Sequence, residues 1–538
     1  MSSYANDARV PIERHYGPPP EDPSLREWVD RRAAAGPPYR PYAMIYTGQG
    51  SPEMTAERIR LLREVGAESV LLACDLPSQL GFDADHRLAR AQVGRAGVSC
   101  STLEDMRTIA DGIDVPTVDS VGMLANSVGH AGLALVHEVL TERGVADKVR
   151  LVMQNDPLKE FTARGTELFT PEQSVRIACD AVGYAVEHEI PGYAMTVCSN
   201  HYDVAGAGPV TALAVALANG VAYLEELVRR GHPATEAARR MMLFVNERSD
   251  LFVGVSVFRA TRQLWGELLR ERFGVRAEDI PPVALMGYAH GLESDREPLA
   301  NIARVTISVT AAVLGGADYL CAASYDEPLR VPSPDAAALA VRTLRTVGAE
   351  HGVANSVDPL AGAHKLDKVQ GWVVDEVRAE LARIFERGGA VACLRDGYIT
   401  GLIDRGRGTR QRQLDAGQRE FIGENTVAAP RWRELFAGSS TPAPGMDAVE
   451  SALKKRITEH KDKHAGSGLD RALAKVRAAA AGTDNLVPPS RDALRAGATL
   501  EQVVTATRAG FEDGPRRPES NRPLGAHQAR PASGAGRP

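Results

Sequence analysis

The 538-residue chain is poor in the residue types that stabilise secreted disulfide-rich domains or bind nucleic acids. It has only six cysteines, none in a Cys-x-x-Cys pair, which argues against a disulfide framework and against a zinc cluster. Aromatic residues make up 5% of the chain, and 69 acidic residues outnumber 63 basic ones. The net charge of -6 predicts no general basic surface, so we expect no nucleic-acid partner.

Long apolar runs are also lacking. No run reaches the roughly 18–20 residues that a membrane span needs, and the first residues, MSSYANDARVPIERHYGPPPEDPS, show no basic-then-apolar signal pattern. We therefore expect no membrane partner and a cytoplasmic location. The composition, 44% hydrophobic and 25% charged, is that of an ordinary globular protein.

Short apolar runs alternate with amphipathic stretches of helical period. The runs occupy residues 43–49, 69–77, 119–126, 150–156, 193–200, 240–249, 282–290 and 318–327. Eight such alternations predict an α/β fold of the (β/α)8 TIM-barrel type, because each parallel strand needs a helical crossover. An open doubly wound sheet is the alternative, but the glycine fingerprint expected after its first strand is missing.

The flanking segments differ from this repeat. We predict an N-terminal arm over residues 1–39, the barrel with its following helices over 40–425, a linker and helical extension over 426–512, and a disordered tail over 513–538. The barrel is thus expected to carry both an N-terminal arm and a C-terminal helical extension.

Polar residues follow the predicted strands. In a parallel barrel these ends meet at one mouth, where active sites of this fold lie. Any one of them could equally be a capping or turn residue. Small residues follow His201, and we expect them to allow a ligand close to the backbone. The polar ends are Gln49, Asp75, Asn126, Gln154, Asn155, Asp156, Asn200, His201, Asn246, Glu247, His290, Tyr325, Asp326 and Glu327.

Seven ordered blocks resemble the substrate-binding subunit of the coenzyme B12-dependent acyl-CoA mutases, which include methylmalonyl-, ethylmalonyl- and isobutyryl-CoA mutases. The blocks are ACDLPSQLGFDADH, VGRAGVSCSTLEDM, QNDPLKEFTARGTELFTPEQSVRI, NHYDVAGA, FRATRQLW, AAVLGGADYL with SYDEPL, and LDAGQREFIGEN. The resemblance implies a barrel capped by cobalamin, with an acyl thioester through its centre. It also implies radical rearrangement of the carbon skeleton in a site that excludes water.

The resemblance also assigns roles to individual residues on the substrate side. It implies that His201 donates a hydrogen bond to the thioester carbonyl. Gln154 matches a glutamine that contacts the substrate, and Asn126 falls at a polar position on the same side. Arg259 matches an arginine that meets coenzyme A. On the cofactor side, Glu327 matches a glutamate near the adenosyl ribose.

Other residues at the mouth complete the candidate set. His290 is the second cofactor-binding candidate. Tyr46 aligns with a tyrosine beside the migrating group, and Thr47 next to it is a further substrate-binding candidate. Arg164 aligns with the arginine that pairs with the free carboxylate of malonyl-type substrates, which suits its two-pronged guanidinium. A methylmalonyl or ethylmalonyl-type substrate is therefore favoured over an isobutyryl or 2-hydroxyisobutyryl type.

Three departures from the family pattern keep alternatives open. Met44 stands where the family has an arginine, and Asn200, a catalytic candidate, stands where it has a tyrosine that shields the radical. The N-terminal Phe-Thr-Arg-Gly pattern that grips coenzyme A has no counterpart. A carrier-protein-bound substrate and a non-catalytic partner of a mutase are the resulting alternatives.

The cobalamin-binding motif Asp-x-His-x-x-Gly does not occur in these 538 residues. By the same resemblance we expect adenosylcobalamin as cofactor, with its lower-ligand domain supplied by a separate small subunit. The chain would then act in a hetero-oligomer with that subunit and an acyl-CoA substrate, and no metal site of its own is predicted.

Overall fold

The computed structural model describes residues 4–5, 11–35, 39–114, 117–246, 250–290, 294–426 and 445–513. A parallel sheet forms its centre, and each of the eight predicted runs overlaps a strand of this sheet. The strands are Tyr42–Tyr46, Ser69–Leu72, Ser120–Met123, Arg150–Val152, Gly192–Tyr193, Met195–Cys198, Met241–Val245, Ala284–Ala289 and Tyr319–Ala322.

The sheet closes into a barrel. Gly192–Tyr193 pairs with the fourth strand and Met195–Cys198 pairs with the strand Met241–Val245, and only Ala194 separates the two segments. They therefore share one position in the barrel, and eight parallel positions result, with the last strand, Tyr319–Ala322, paired to the first. This confirms the predicted (β/α)8 fold.

Helices surround the sheet. Local signals set their starts: Thr170, for example, forms a capping box with Gln173, and Pro171 occupies the first helical position.

The longer helices are Pro23–Ala35, Pro52–Glu64, Leu103–Ala110, Gly129–Glu142, Pro171–Glu187, Pro209–Arg229, Leu251–Phe273, Ala300–Leu314, Pro334–Arg345, His364–Glu386, Tyr398–Asp415, Met446–His464, Ser467–Ala481, Val487–Arg495 and Leu500–Asp513. Short helices are Leu76–Gln79, Asn200–Ala205, Ala234–Arg239 and Ala390–Arg395, with 3-10 turns Arg87–Ala89, Asn126–Val128, Pro157–Phe161 and Ala277–Asp279 and a π-helix, Thr346–Glu350.

One helix among the described residues, Pro209–Arg229, is long and apolar enough to cross a membrane. However, 72% of its most apolar window is buried inside the protein. It packs against the helices Pro171–Glu187 and His364–Glu386, as a core helix of the barrel shell does.

The N-terminal arm contributes the helix Pro23–Ala35 and a two-stranded antiparallel sheet of Tyr4–Ala5 with Pro11–Ile12. Arg32 on this helix and Arg262 on an outer helix both donate to the carboxylate of Asp318, just before the last strand. The Arg262 guanidinium also stacks 4.8 Å from the ring of Trp28. These contacts hold the arm against the barrel end opposite the mouth.

The C-terminal helices pack on the side of the barrel. Leu486, Leu494 and Val504 belong to the same core cluster as the barrel strands. Arg491 and Arg495 both pair with the buried carboxylate of Glu138 on the helix Gly129–Glu142. The predicted linker STPAPG, apart from Gly445, and the tail after Asp513 lie outside the described residues.

All six cysteines are buried and free: Cys74, Cys100, Cys179, Cys198, Cys321 and Cys393. Burial raises the pKa of each thiol, so these residues are packed as reduced apolar side chains.

His130 makes the stability of the C-terminal packing sensitive to pH. Its Nε2 lies 3.1 Å from Thr507 Oγ1, and burial lowers its pKa from 6.5 to about 3. Between pH 6.5 and about pH 3, His130 is protonated in the unfolded chain but neutral in the folded one. The free energy of unfolding therefore decreases as the pH falls below 6.5, the pKa of this histidine in the unfolded chain. We expect this one residue to cost about 2 kcal/mol of stability at pH 5 relative to pH 7.

Urea unfolding at pH 7 and pH 5 tests this expectation. His130→Gln should reduce the pH dependence, whereas the same change at His351, an exposed residue, should leave it as in the wild type. An identical pH dependence in the wild type and His130→Gln would contradict the assignment.

Candidate active site at the carboxyl end of the barrel

His201 lies directly after the fifth barrel position, at the mouth. The backbone N–H of Ser199 donates to Phe244 O of the neighbouring strand at 2.8 Å, and the short helix Asn200–Ala205 begins there. His201 Nδ1 is 3.0 Å from Asn200 Oδ1. Because Oδ1 only accepts, this amide orientation places the single proton of the neutral imidazole on Nδ1 and leaves Nε2 as an acceptor. Turning the Asn200 amide so that its nitrogen faces Nδ1 would place the proton on Nε2, which could then donate to a ligand.

Burial is the main cause that lowers the pKa of His201 well below 6.5, and the positive charges of Lys159 and Arg164 and the ring of His290 lower it further. The imidazole is therefore neutral at physiological pH. Arg164 and His290 are therefore close enough to His201 to affect its charge state.

Gln154 and Asn126 face each other across neighbouring strand ends, with Asn126 Nδ2 3.4 Å from Gln154 Oε1. Both side chains are buried, yet Gln154 Nε2 and Asn126 Oδ1 have no hydrogen-bond partner among the described residues. Asn126 also has a φ of 20°, an uncommon value for a residue other than glycine. Buried amide atoms left unpaired are typical of a ligand-binding site.

Tyr46 ends the first strand close to this pair. Burial raises the pKa of its hydroxyl well above 10, and interaction with the Gln154 side chain opposes that shift. The phenol is therefore protonated and can donate a hydrogen bond. Met44, two residues earlier, is fully buried in the strand, so this position offers an apolar wall where the family has an arginine.

Arg164 is held at the edge of the mouth. Its Nη1 donates to Gln79 Oε1 at 2.7 Å, and the Gln79 amide nitrogen in turn donates to Cys74 O. The carboxylate of Glu160 lies 3.8 Å away but is engaged by Lys159 and Thr166. The described residues give Arg164 no other partner, so part of its guanidinium is available to an anion.

Glu327 and His290 meet through a residue that the sequence reasoning did not select, Tyr288. The Tyr288 hydroxyl donates to Glu327 Oε1 at 2.6 Å, and its ring lies 5.0 Å from that of His290. It also meets the ring of Tyr46 edge-on at 5.7 Å. The only available signal was its position, two residues before His290, and hence on the same face of the strand.

Two predicted residues are not part of this cluster. Arg259 is buried on the outer helix Leu251–Phe273, where it donates to Asp358 and to Gln370 Oε1. Its ion pair provides a structural reason for the arginine, and its contact with coenzyme A stays a prediction. Thr47 is buried too, and its backbone N–H and hydroxyl both point to Leu71 O, at 3.0 and 3.4 Å.

Several other polar strand ends are structural in the described residues. Asp75 caps the helix Leu76–Gln79 and accepts from Gly94 N, and burial raises its pKa to about 6. Asp156 accepts from Tyr223 and from Cys198 N. Gln49, Asn155 and Asp326 likewise bond within the protein, and Glu247 lies outside the described residues.

The small residues after His201 serve helix packing at one position. The backbone of Gly206 contacts Gly406 and Arg407 of the helix Tyr398–Asp415 so closely that a side chain at Gly206 or Gly406 would clash. The space around Gly208, by contrast, is open, and its φ of 81° favours glycine. The expectation of close ligand approach is therefore wrong for Gly206 and stays open for Gly208.

Among the described residues, one group of potential metal ligands occurs, formed by Asp83, Asp85 and Glu501. The ammonium of Lys461 lies 3.0 Å from Asp83 and 2.7 Å from Asp85. A protein cation thus already pairs with the carboxylates of Asp83 and Asp85.

Sequence comparisons identify the relatives of this chain. A model of the family described as methylmalonyl-CoA mutase matches residues 33–513. Methylmalonyl-CoA mutase from Escherichia coli K12 is 29% identical over 83% of this chain and 62% of its own length, and that from Rhizobium meliloti is 30% identical over 87% and 65%. The chain thus spans less than two thirds of either enzyme.

A third relative is covered more fully. The 2-hydroxyisobutanoyl-CoA mutase large subunit of Aquincola tertiaricarbonis is 28% identical over 92% of this chain and 85% of its own length.

Proposed function

Because the chain belongs to the methylmalonyl-CoA mutase family, with residues 33–513 matched, we propose that it is the large, substrate-binding subunit of an adenosylcobalamin-dependent acyl-CoA mutase. The observation that carries this proposal is the grouping of neutral His201, Arg164 and the unpaired amide atoms of Gln154 and Asn126 at one mouth. Neutral donors beside a cation suit a thioester that bears a carboxylate.

In this proposal each side chain acts on a different part of the substrate. His201 donates a hydrogen bond from Nε2 to the thioester oxygen, with the Asn200 amide turned so that its nitrogen faces Nδ1, and this bond stabilises charge on the oxygen as the carbon skeleton rearranges. Gln154 and Asn126 provide the donor and acceptor that orient the acyl group, and the Tyr46 hydroxyl adds a polar group beside Gln154. Arg164 binds the free carboxylate with the nitrogens that Gln79 leaves open.

The residues at the mouth also fit the proposed cofactor. Glu327 and His290 both contact Tyr288, and carboxylate and imidazole groups are suited to bind the hydroxyls of a ribose. Asn246 Oδ1 is a further buried acceptor without a partner among the described residues. When bound, adenosylcobalamin supplies the radical that starts the rearrangement, and the barrel excludes water from it.

The proposal includes a separate small cobalamin-binding subunit and a hetero-oligomer in the cytoplasm. The separate subunit is supported by the name of one relative, which is called a large subunit. This chain covers 85% of that relative. The same relative is named for a 2-hydroxyisobutanoyl substrate, and this name favours a monocarboxylic acyl group as the second candidate. Arg164 favours the malonyl type.

Equilibrium binding to the purified chain tests the proposal without the cofactor. We expect methylmalonyl-CoA and ethylmalonyl-CoA to bind by titration calorimetry more tightly than isobutyryl-CoA, and free coenzyme A to bind more weakly than any of them. Tighter binding of isobutyryl-CoA would favour the monocarboxylic type. Absence of binding by every free thioester would contradict the proposal and favour a carrier-bound substrate or a non-catalytic partner.

A further inference from the structure

The mouth has an aromatic half and a polar half. Tyr46, Phe244 and Tyr288 come from the first, sixth and seventh barrel positions and contact one another edge-on, with ring centroids 5.7 Å apart for Tyr46 with Tyr288 and 6.4 Å for Phe244 with Tyr288. The hydrogen-bonding side chains Asn126 and Gln154 follow the third and fourth strands, respectively. Tyr288 is the central member of the aromatic half.

Tyr288 is also fixed in position. Its hydroxyl donates to Glu327 Oε1 at 2.6 Å, and Glu327 Oε2 accepts from Ser324 N at 3.2 Å. The tyrosine is 7% exposed and has rings on several sides, including His290. A bulky ring anchored at its hydroxyl and packed on both sides cannot rotate away without losing these contacts.

The two halves of the mouth suit different groups of a ligand. The polar half suits the thioester oxygen and a carboxylate. The faces and edges of the three rings offer mainly apolar surface to a ligand, and the Tyr288 hydroxyl is already bonded to Glu327. A hydrocarbon branch on the acyl group therefore belongs against the aromatic half. The ring of Tyr288, immobilised between Tyr46 and Phe244, is the surface that such a branch meets.

We propose that Tyr288 is a specificity-determining residue that limits the length of the hydrocarbon branch on the acyl group, a proposal that rests on the function proposed above. Packing against Tyr46 and Phe244 sets where the ring stands, and the hydrogen bond to Glu327 adds to this packing.

Binding selectivity measured on the full chain tests this. Titrations would compare methylmalonyl-, ethylmalonyl- and propylmalonyl-CoA with the wild type, Tyr288→Ala, Tyr288→Leu and Tyr288→Phe. Each methylene in an apolar pocket changes selectivity roughly 10- to 200-fold. We expect Tyr288→Ala to shift the ratio of propylmalonyl to methylmalonyl affinity at least tenfold toward the longer branch, and Tyr288→Leu to shift it less.

Two variants separate ring size from other effects. Tyr288→Phe keeps the ring and should keep the wild-type ratio within about threefold, a change of under one kcal/mol. Tyr398→Ala is the matched control, because Tyr398 makes a similar hydrogen bond to Glu380 at 2.7 Å on the outer helices. It should leave the ratio unchanged.

The outcomes are distinct. A wild-type ratio in both Tyr288→Ala and Tyr288→Leu, with thioesters still bound, would overturn the role of Tyr288 and leave the proposed function standing. Failure of the folded wild type to bind any of the three thioesters would overturn the proposed function, and the inference with it. If Tyr288→Ala does not fold, the ratio in Tyr288→Leu decides.

Discussion

His201→Ala lowers kcat about 10²–10³-fold in the assembled enzyme, because a preorganised donor to a developing oxyanion is worth that factor. The imidazole is neutral, fixed by Asn200 at 3.0 Å and largely shielded from solvent. Its hydrogen bond strengthens as charge develops on the thioester oxygen, so the loss should fall on kcat much more than on KM. Steady-state kinetics with saturating cofactor and partner subunit measure both parameters.

Two further variants test whether the loss of kcat comes from the His201 hydrogen bond. His188→Ala removes a histidine from the end of an outer helix, where Nδ1 is 2.9 Å from Tyr184 O, and should leave kcat unchanged. Asn200→Asp presents only acceptors to His201 Nδ1, so the proton stays on that nitrogen and Nε2 can no longer donate. It should lose much of the rate that His201→Ala loses. A His201→Ala enzyme with wild-type kcat would exclude the proposed hydrogen bond.

Arg164→Gln reverses the preference between dicarboxylic and monocarboxylic acyl groups. Arg164 is exposed in the free chain, and a bound acyl group would cover its pair with the carboxylate. Removing one partner of such a covered pair costs about 2–5 kcal/mol, or at least 30-fold in affinity. We expect methylmalonyl-CoA to lose this amount, while isobutyryl-CoA, which has no free carboxylate, loses little or gains. The ratio of kcat/KM for the two substrates, in the wild type and the variant, gives the change directly.

The control for Arg164 is Arg107→Gln. Arg107 forms a two-pronged pair with Glu142 on the outer helices, at 2.7 and 2.9 Å, and its loss should not change the substrate ratio. If Arg164→Gln lowered kcat/KM equally for both acyl groups, Arg164 would have a structural role at the mouth and would not bind the carboxylate.

The barrel was predictable because its signal is local. Each strand is a short apolar run between helical stretches, and the polar residue after it marks the mouth, as at Gln154 and His201. The family blocks added roles for individual positions. This pattern does not distinguish a residue that faces a ligand from one that caps a turn, and Asp75 is of the second kind.

What the sequence did not predict depends on distant partners. Arg259 pairs with Asp358, 99 residues away, and Gly206 is small because Gly406 packs on it. Tyr288 was missed for a related reason: inside an apolar run it has the pattern of a core residue. Only the barrel brings its hydroxyl to Glu327 and its ring to Tyr46.

The most direct test of the central claim is turnover. The chain would be co-expressed with a candidate cobalamin-binding subunit, supplied anaerobically with adenosylcobalamin, and given methylmalonyl-, ethylmalonyl-, isobutyryl- and 2-hydroxyisobutyryl-CoA, with products separated by chromatography and identified by mass spectrometry. We expect isomerisation of a malonyl-type thioester, and its loss in His201→Ala. No isomerisation of any thioester by an intact complex would contradict the account.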